Sequence, residues 1–327
     1  MRSEFEFIQH IKEKYSLNHI GDDCAVLPKD DKSDMVVTAD MLVEDIDFRL
    51  EWITPEFLGH KALTVSLSDV AAMGAKPIWA MLSIGVPEKL WNEDFLDRFY
   101  LGWHRNARKS RVELAGGDIS RTPDKLVIDS IVGGEVPKDR AILRSGANVG
   151  DAIVVTDRVG GSAGGLRLLQ NGVRLEMVSE SWQDVLLGIH LQPRPKTETG
   201  IYLQERGFVT SMIDISDGLA SDLQHICDAS QVGAKLDARA IPLNLNLRKL
   251  ADSFEEQLDL ALNGGEDFQL LFTVPKSRIP ELSAGLIGGR DYGLFTVIGE
   301  TTSDPGKIEL ELNDEFVALQ PRGYRHF

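Results

Sequence analysis

The sequence predicts an α/β protein of two domains, built from helices layered on mixed sheets. Helical and strand-like segments alternate along both halves of the chain, which is typical of mixed α/β layers. The length of 327 residues suggests about two domains. A polar stretch at 137–150 separates the halves, and a β-prone run, Ala152–Thr156, begins directly after it. We therefore expect domains at 1–140 and 148–327.

In the N-terminal half, apolar spacing and boundary residues define three helices and three strands. Residues 4–16 carry apolar side chains on one helical face. Thr54 is a suitable N-cap for a helix that begins at Pro55, and small apolar side chains predict that this helix is buried. The predicted elements are, in order, helix 4–16, strand 34–40, helix 55–73, strand 78–86, helix 92–110 and strand 126–136.

In the C-terminal half, short β-prone runs alternate with helical segments, and the end of the chain is rich in strands. As in the first half, strands tend to end near an aspartate that a helix follows. The predicted elements are strand 152–156, helices 162–170 and 180–190, strand 209–215, helix 218–229, strand 234–237, helix 254–262, and strands 268–274, 295–298 and 308–312.

The charge balance argues against several classes of partner. The chain has 35 Lys and Arg against 51 Asp and Glu, a formal net charge of −16, whereas nonspecific binding to nucleic acid or an anionic membrane needs basic patches. We expect no bilayer-spanning segment and no signal peptide, since no stretch of the chain has the required apolar run. Cys24 and Cys227 show no zinc spacing, which favours two reduced, buried thiols and a cytoplasmic protein.

Acidic residues stand beside small residues at the ends of apolar runs in six places. Carboxylates there are poor packing groups but good ligands for hard cations, and small neighbours let a ligand approach the backbone closely. The pattern suggests several divalent ions around a polyphosphate. The segments are Gly21-Asp22-Asp23, Val36–Asp40, Leu67-Ser68-Asp69, Gly116-Gly117-Asp118, Ile213–Gly218 and Gly264–Asp267.

Most of these segments also have an ordinary structural interpretation. Taken alone, Asp22-Asp23 is more typical of a solvated turn, and Asp40 is equally typical of an Asx-turn at a strand end. Gly116-Gly117 is typical of a turn between a helix and a strand, although its N–H groups could also face a phosphate. Asp69 differs because it lies inside a predicted buried helix, where an unpaired charge is costly. There a metal-ligand role is favoured over a buried ion pair.

The strongest local signal is the segment Ile213–Gly218. Asp214 and Asp217 flank a predicted strand-to-helix junction, where Ser216 or Asp217 could cap the helix. The same helix start could instead hold a nucleotide phosphate. The segment Asn263–Asp267 repeats this design just before the next strand.

Familiar nucleotide-binding and nucleophile motifs are absent from the sequence, including GxxxxGK[ST], a GxGxxG with a ribose-binding acid, and GxSxG. The histidines are scattered without metal spacing.

Arg144, in the stretch between the halves, is either an ordinary surface side chain or a forked clamp for phosphate. Phosphoryl transfer assisted by two or more metal ions accounts for all six acidic segments.

Together these residues resemble the thiamine-monophosphate kinase family, within the superfamily of aminoimidazole-ribonucleotide synthetase. The resemblance covers nearly the whole chain, from Gly21 to the terminal Gly323–Phe327. It implies an N-terminal α/β domain whose sheet pairs with that of a second subunit, and a C-terminal α/β domain that covers the nucleotide. Its most specific parts are Lys61-Ala62-Leu63, Ser66–Asp69, Ala71–Ala75, Ile213–Leu219 and Gly264–Phe268.

The reaction implied by the resemblance is ATP-dependent phosphorylation of thiamine phosphate to thiamine diphosphate, with several Mg²⁺ ions. The implied magnesium ligands are Asp23, Thr38, Asp40, Asp69, Asp118, Asp214 and Asp217. The implied ATP contacts are Gly117, Asp118, Arg144 and Ser216. The implied residues on the substrate side are Asp47, Glu266 and Tyr324.

This chemistry is consistent with the residues present. The attacking phosphate oxygen is already anionic near neutral pH, so no general base is needed. The main obstacle is repulsion between two phosphates, which bound magnesium would offset. Arg144 would stabilise charge on the transferred group. Tyr324 could stack on a cationic heteroaromatic ring, and Glu266 could meet its positive charge.

Two positions depart from the family pattern. Ala39 stands where the family usually has a hydroxyl side chain, so one metal contact is lost or comes from a carbonyl. Asp47 stands where the family usually has histidine, and an ionised carboxylate cannot donate a hydrogen bond to a phosphate. Two alternatives therefore stay open: another ATP-dependent enzyme of the same superfamily, and a non-catalytic nucleotide- or metal-binding regulator on this fold.

Overall fold

Two mixed sheets, each covered by helices, organise the chain. The structure is a computed structural model that describes residues 4–282, 286–287, 290–291 and 294–324. The first three residues, and the segment 325–327 that contributes to the C-terminal resemblance, lie outside the described residues. One sheet has five strands, in the spatial order 25–28, 33–43, 127–137, 76–87 and 113–122. The other has seven, in the order 315–318, 308–312, 233–237, 295–302, 152–156, 270–274 and 211–214.

The N-terminal half contains every element predicted for it. Strands β3 and β4 run parallel, and the other neighbours in this sheet run antiparallel. Strands β1 and β4 were not predicted. The elements are α1 (Glu4–Tyr15), β1 (Ala25–Pro28), β2 (Ser33–Val43), α2 (Pro55–Ala72), β3 (Lys76–Pro87), α3 (Glu93–Ser110), β4 (Glu113–Thr122) and β5 (Val127–Pro137).

The C-terminal half also contains every predicted element and adds α6, α9, β10, β11 and β14. Its sheet is antiparallel except where β13 runs parallel to β8. Strands β10 and β11 pair only with each other. The elements are β6 (Ala152–Thr156), α4 (Gly161–Gln170), α5 (Ser181–Leu191), α6 (Thr197–Arg206), β7 (Ser211–Asp214), α7 (Leu219–Ser230), β8 (Gly233–Asp237), α8 (Phe254–Asn263), β9 (Leu270–Val274), α9 (Ile279–Leu282), β10 (Leu286–Ile287), β11 (Arg290–Asp291), β12 (Phe295–Thr302), β13 (Ile308–Leu312) and β14 (Glu315–Ala318).

Two local predictions in the N-terminal half were wrong. Asp40 does not end its strand, because β2 pairs with β5 along its whole length and continues to Val43. Gly116-Gly117-Asp118 is not a turn but lies inside β4. Gly117 has a φ of 151°, and a Cβ there would lie 1.9 Å from the Leu82 carbonyl oxygen. The glycine is therefore needed for close pairing of two strands.

Helix α2 connects the two halves. Thr54 caps it as predicted, since its Oγ1 accepts a hydrogen bond from the Phe57 N–H at 3.3 Å. On one side, Ser66 Oγ donates to the Ser130 carbonyl of β5 at 2.9 Å. On the other side, Ser68 Oγ donates to Asp214 Oδ2 at the end of β7 at 2.6 Å. The helix therefore makes hydrogen bonds to a strand of each sheet.

The described helices include none with the length and apolar character required to cross a membrane. Cys24 and Cys227 are both free and buried, as predicted.

Helices α2 and α3 cross with their backbones in contact. A Cβ at Gly59 would lie 2.0 Å from the Phe99 carbonyl oxygen, and one at Gly102 would lie 1.8 Å from the Glu56 carbonyl oxygen. Since backbone cannot move aside locally, any side chain at these positions separates the helices.

We expect Gly59→Ala to lower the free energy of unfolding by about 2–3 kcal/mol because of this overpacking. The matched control is Gly188→Ala in α5, where an added Cβ meets nothing within 4 Å. That control should raise the free energy of unfolding by about 0.5–1 kcal/mol, because alanine favours the helix. Urea unfolding of both variants measures the difference, and equal midpoints would contradict the described crossing.

Candidate active site

Three carboxylates from distant parts of the sequence converge between the two sheets. Asp23 precedes β1, Asp69 lies in the last turns of α2, and Asp214 ends β7. One carboxylate oxygen of each lies within 4.8 Å of the other two. Three of the predicted magnesium ligands thus share one place, which we call the carboxylate cluster.

Two hydroxyl groups hold the carboxylate cluster in position. Thr38 Oγ1 donates to Asp69 Oδ2 at 2.5 Å, and Ser68 Oγ donates to Asp214 Oδ2 at 2.6 Å. Asp40 lies two residues beyond Thr38 on β2, so both side chains are on the same face of the sheet. The side-chain oxygen atoms of Thr38 and Asp40 on β2 therefore face the same space as the carboxylate of Asp69 on α2.

Negative charge in the carboxylate cluster is poorly compensated. Burial, with the neighbouring carboxylates, raises the pKa of Asp69 well above its ordinary value. Burial raises the pKa of Asp214 to about 8 and that of Asp40 to about 6. Within the described residues, the Oδ2 atoms of Asp23 and Asp40 are buried without a hydrogen-bond partner. Oxygen donors with unmatched charge are the ligand set of a hard divalent cation, so these residues fit magnesium.

Arg144 supplies positive charge to the carboxylate cluster. Its Nη2 donates to Asp23 Oδ1 at 2.6 Å and its Nε to the same oxygen at 3.3 Å, while its backbone N–H donates to the Asp22 carboxylate at 3.1 Å. Burial, the largest single influence, disfavours the guanidinium charge, but the contacts and charge of Asp23, together with the charges of Asp22 and Asp214, outweigh it and raise the pKa of Arg144 above its usual value. The arginine is therefore not an ordinary surface side chain.

The strand-to-helix junction after β7 is closed by a residue that was not predicted. Asp222 Oδ2 accepts hydrogen bonds from the N–H groups of Ser216, Asp217 and Gly218 at 3.1, 3.2 and 3.1 Å. Neither Ser216 nor Asp217 caps α7, because the N-cap residue is Gly218 and no side chain makes a capping hydrogen bond there. An acid in the first turn of α7 was the available signal.

A second group of metal-type ligands adjoins this junction. Single ligand atoms of Asp217, Asp222 and His225 lie within 4.8 Å of one another. Burial, and then the charge of Asp217, raises the pKa of Asp222 well above its ordinary value. Burial lowers the pKa of His225 to about 4, so its ring is neutral near pH 7.

The segment after α8 lies against the same junction. The Glu266 N–H donates to the Ser216 carbonyl at 2.8 Å, and the Glu266 side chain pairs with Lys61 of α2. The C-terminal segment returns here as well, since the Tyr324 N–H donates to the Asp217 carbonyl at 3.3 Å. Glu266 and Tyr324, both predicted on the substrate side, are thus brought to one region.

Asp47 forms a turn just after β2. Its Oδ2 accepts from the Val43 N–H at 2.7 Å, and its own N–H donates to the Val43 carbonyl at 3.0 Å. The negative charge of Asp47 nevertheless acts on Tyr324, one of the residues predicted on the substrate side. Burial, followed by the charges of Asp47, Asp217 and Glu266, raises the pKa of Tyr324.

Gly117 and Asp118 are not brought to the carboxylate cluster. Gly117 pairs with Leu82, which pairs with Ser130, which pairs with Asp40. Three strand spacings separate Gly117 from Asp40, about 14 Å in all. Asp118, one residue further on, projects from the opposite face of the sheet and is exposed. Its role as a metal ligand stays a prediction.

Both halves match models of known domains. Residues 21–136 match the AIR synthase related protein, N-terminal domain, and residues 148–311 match the AIR synthase related protein, C-terminal domain. The fold and the carboxylate cluster thus define an AIR-synthase-related protein of two α/β domains, and the predicted fold class is confirmed.

Comparison with relatives narrows this class. The thiamine-monophosphate kinase of Escherichia coli (strain K12) is 40% identical over 312 residues, which span 94% of this chain and 91% of the relative. That of Bacillus subtilis (strain 168) is 34% identical over 336 residues, spanning 99% of each chain. The solved structure of AaThiL complexed with AMPPCP and TMP matches with a TM-score of 0.86 at 32% identity, covering 100% of this chain and 99% of that one. The chain belongs to the thiamine-monophosphate kinase family.

Proposed function

We propose that this protein transfers the γ-phosphoryl group of ATP to thiamine phosphate, giving ADP and thiamine diphosphate. The observation that carries the proposal is the convergence of Asp23, Asp69 and Asp214 beside Arg144, in a chain that matches thiamine-monophosphate kinases over nearly its full length. The ligands named for AaThiL, AMPPCP and TMP, support the same pair of substrates.

We propose that the carboxylate cluster and its neighbours hold several Mg²⁺ ions. Bound magnesium would offset the repulsion between the two phosphate groups and align them. The chain's own residues keep the oxygen ligands in place, since Thr38 fixes Asp69 and Ser68 fixes Asp214. The proposed ligands at this place are Asp23, Thr38, Asp40, Asp69, Asp214 and Asp217. Asp118 lies apart from them within one chain, so its role as a ligand stays a prediction.

Arg144 is the proposed catalytic side chain. Its guanidinium group lies at the carboxylate cluster, where it would donate hydrogen bonds to the oxygens of the transferred phosphoryl group and stabilise their developing charge. Gly117, Asp118 and Ser216 are the further proposed ATP contacts. No side chain needs to remove a proton, because the acceptor is a phosphate oxygen that is already ionised near neutral pH.

Asp47, Glu266 and Tyr324 form the proposed substrate side. Tyr324 would stack on the cationic ring, and Glu266 would meet its charge. Because an ionised carboxylate cannot donate a hydrogen bond to a phosphate, we assign Asp47 to the charge around Tyr324 and not to a phosphate contact. This assignment accounts for an aspartate at a position where the family usually has histidine.

We further propose the division into domains at 1–140 and 148–327, and a cytoplasmic location. Each proposed domain contains one of the two large sheets, and the matched family models end at 136 and begin at 148. The two free, buried cysteines support a reducing compartment.

We also propose that the protein is a homodimer joined through the N-terminal sheets. Strand β4 lies at a sheet edge and is exposed along nearly its whole length, including Leu114 at 46% and Ile119 at 50% exposure. An exposed edge with apolar side chains is a template for pairing with another strand. Sedimentation should give twice the mass of one chain for the unsubstituted protein, and Ile119→Arg should shift it toward the monomer. A monomeric unsubstituted protein would contradict this proposal.

An ADP-release assay tests the proposed reaction. Purified protein is incubated with ATP and Mg²⁺, with thiamine phosphate, with thiamine, or without acceptor, and thiamine diphosphate is measured by chromatography. We expect ADP and thiamine diphosphate in equal amounts, only with thiamine phosphate and only with Mg²⁺. Binding of both ligands without ADP release would instead favour a regulator on this fold, and turnover of a different acceptor would favour another enzyme of the superfamily.

A further inference from the structure

A buried lysine and a glutamate join the two halves of the molecule. Lys61 of α2 is 1% exposed. Its Nζ lies 2.7 Å from Glu266 Oε1 and 2.8 Å from Glu266 Oε2, so it contacts both oxygens of one carboxylate. Lysine is almost never fully buried unless it is paired. Lys61 and Glu266 are 205 positions apart in the sequence.

Residues of α4 and α5 also lie close to Glu266. His190 is 6% exposed, and its Nδ1 lies 3.3 Å from Glu266 Oε2. Ser162 Oγ lies 3.0 Å from the same ring nitrogen. Burial, and then the charge of Lys61, lowers the pKa of His190 to about 4. The ring is therefore neutral near pH 7, and the positive charge facing Glu266 comes from Lys61.

The backbone of Glu266 is held in an uncommon conformation. Its φ is +64°, which costs a non-glycine residue about 1 kcal/mol or more. Gly265 before it packs so closely on the Ser216 carbonyl oxygen that a Cβ would lie 2.4 Å away. Such conformations persist where the surroundings fix them, and here they place the side chain in contact with Lys61 and His190.

We propose that Lys61 is the residue that positions Glu266 for the cationic ring of the substrate, which rests on the function proposed above. The lysine contacts both carboxylate oxygens, which holds the carboxylate in one orientation close enough for its charge to act on Tyr324. It also keeps Glu266 ionised. Burial alone would favour the neutral acid, whereas the charge of Lys61 and its hydrogen bond lower the pKa of Glu266 below its ordinary value.

A double-mutant cycle on Lys61 and Glu266 tests the proposal. The variants are Lys61→Met, Glu266→Gln and the double variant, with Lys249→Met, an exposed lysine, as the control. We measure kcat and the KM for each substrate. Lys61→Met and Glu266→Gln should each raise the KM for thiamine phosphate ~10- to 100-fold, with the KM for ATP nearly unchanged. The double variant should be no worse than Glu266→Gln alone, because Lys61 acts only through Glu266.

The cycle separates the possible outcomes. Independent effects that multiply in the double variant would overturn the positioning role, as would equal losses toward ATP and thiamine phosphate. If Lys61→Met does not fold, Glu266→Gln and the double variant still differ only at Lys61, and a higher KM in the double variant would overturn the proposal. An unsubstituted protein without thiamine-phosphate-dependent ADP release would contradict the proposed function itself. A normal KM in Glu266→Gln would contradict the role of Glu266.

Discussion

Asp69→Asn is expected to lower kcat by about three orders of magnitude, because the carboxylate at the centre of the cluster is lost. Asparagine keeps the shape of the side chain and can still accept the Thr38 hydroxyl, which lies 2.5 Å from Asp69 Oδ2. It does not carry the charge that a hard divalent cation prefers. The variant should therefore fold normally and bind magnesium poorly. ADP release with thiamine phosphate measures the loss.

The same substitution should stabilise the protein when metal is removed. Burial and the neighbouring carboxylates raise the pKa of Asp69 in the folded state well above its unfolded value. A group of this kind contributes stability below its unfolded pKa and loses that contribution as pH rises through its folded pKa. The amide cannot ionise, so it avoids this loss. In EDTA at neutral pH, Asp69→Asn should thus melt at a higher temperature than the unsubstituted protein.

Thermal unfolding in EDTA and in Mg²⁺ measures both expected effects of Asp69→Asn, the stabilisation without metal and the weaker binding of magnesium. Mg²⁺ should raise the Tm of the unsubstituted protein strongly and that of Asp69→Asn only slightly, since a ligand stabilises the state that binds it. Asp184→Asn, an exposed position on α5, is the control and should behave like the unsubstituted protein. An Asp69→Asn variant that retained turnover and the Mg²⁺-dependent rise would remove Asp69 from the site.

Arg144→Ala is the second substitution with a large expected effect, a fall in kcat of about 10³-fold, as for arginines that stabilise transferred phosphoryl groups. The fork that contacts Asp23 is then missing from the carboxylate cluster. Arg144→Lys keeps the charge but not the two-pronged geometry, so we expect an intermediate loss. Arg239→Ala, at a side chain that is 68% exposed, is the control and should leave kcat unchanged.

Arg144→Ala should also destabilise the metal-free protein. Asp23 is buried, and removal of one partner from a buried ion pair costs about 3–5 kcal/mol. Mg²⁺ should restore part of this stability, because it replaces the missing positive charge, but it should not restore kcat. Urea unfolding and turnover, measured at the same Mg²⁺ concentration, separate the two roles. Normal kcat in the Mg²⁺-stabilised variant would make Arg144 only a structural partner of Asp23.

Local signals in the sequence predicted the elements that position the site. Thr54 and Pro55 mark the start of α2, and the apolar residues around Asp69 predicted that this acid lies inside a helix. The alternation of β2 places Thr38 and Asp40 on one face once the strand is recognised. Such features depend on neighbours within one or two turns, so one sequence is enough to predict them.

Features that depend on distant contacts could not be predicted in this way. Strand β4 contains a glycine pair and few β-prone residues, and only its pairing with β3 makes it a strand. Nothing near Lys61 indicates that its partner is Glu266. The acid Asp222 in the first turn of α7 is visible in the sequence, but its hydrogen bonds to the N–H groups of Ser216, Asp217 and Gly218 depend on how the chain turns after β7.

The number of divalent ions held in the complete complex tests the account most directly. Mn²⁺ replaces Mg²⁺ as a probe, and its binding is counted by electron paramagnetic resonance with AMPPCP and thiamine phosphate both present. We predict more than one bound Mn²⁺ per chain in the unsubstituted protein and fewer in Asp69→Asn. The same number in both proteins would contradict the claim that the converging carboxylates hold the ions that bring the two phosphates together.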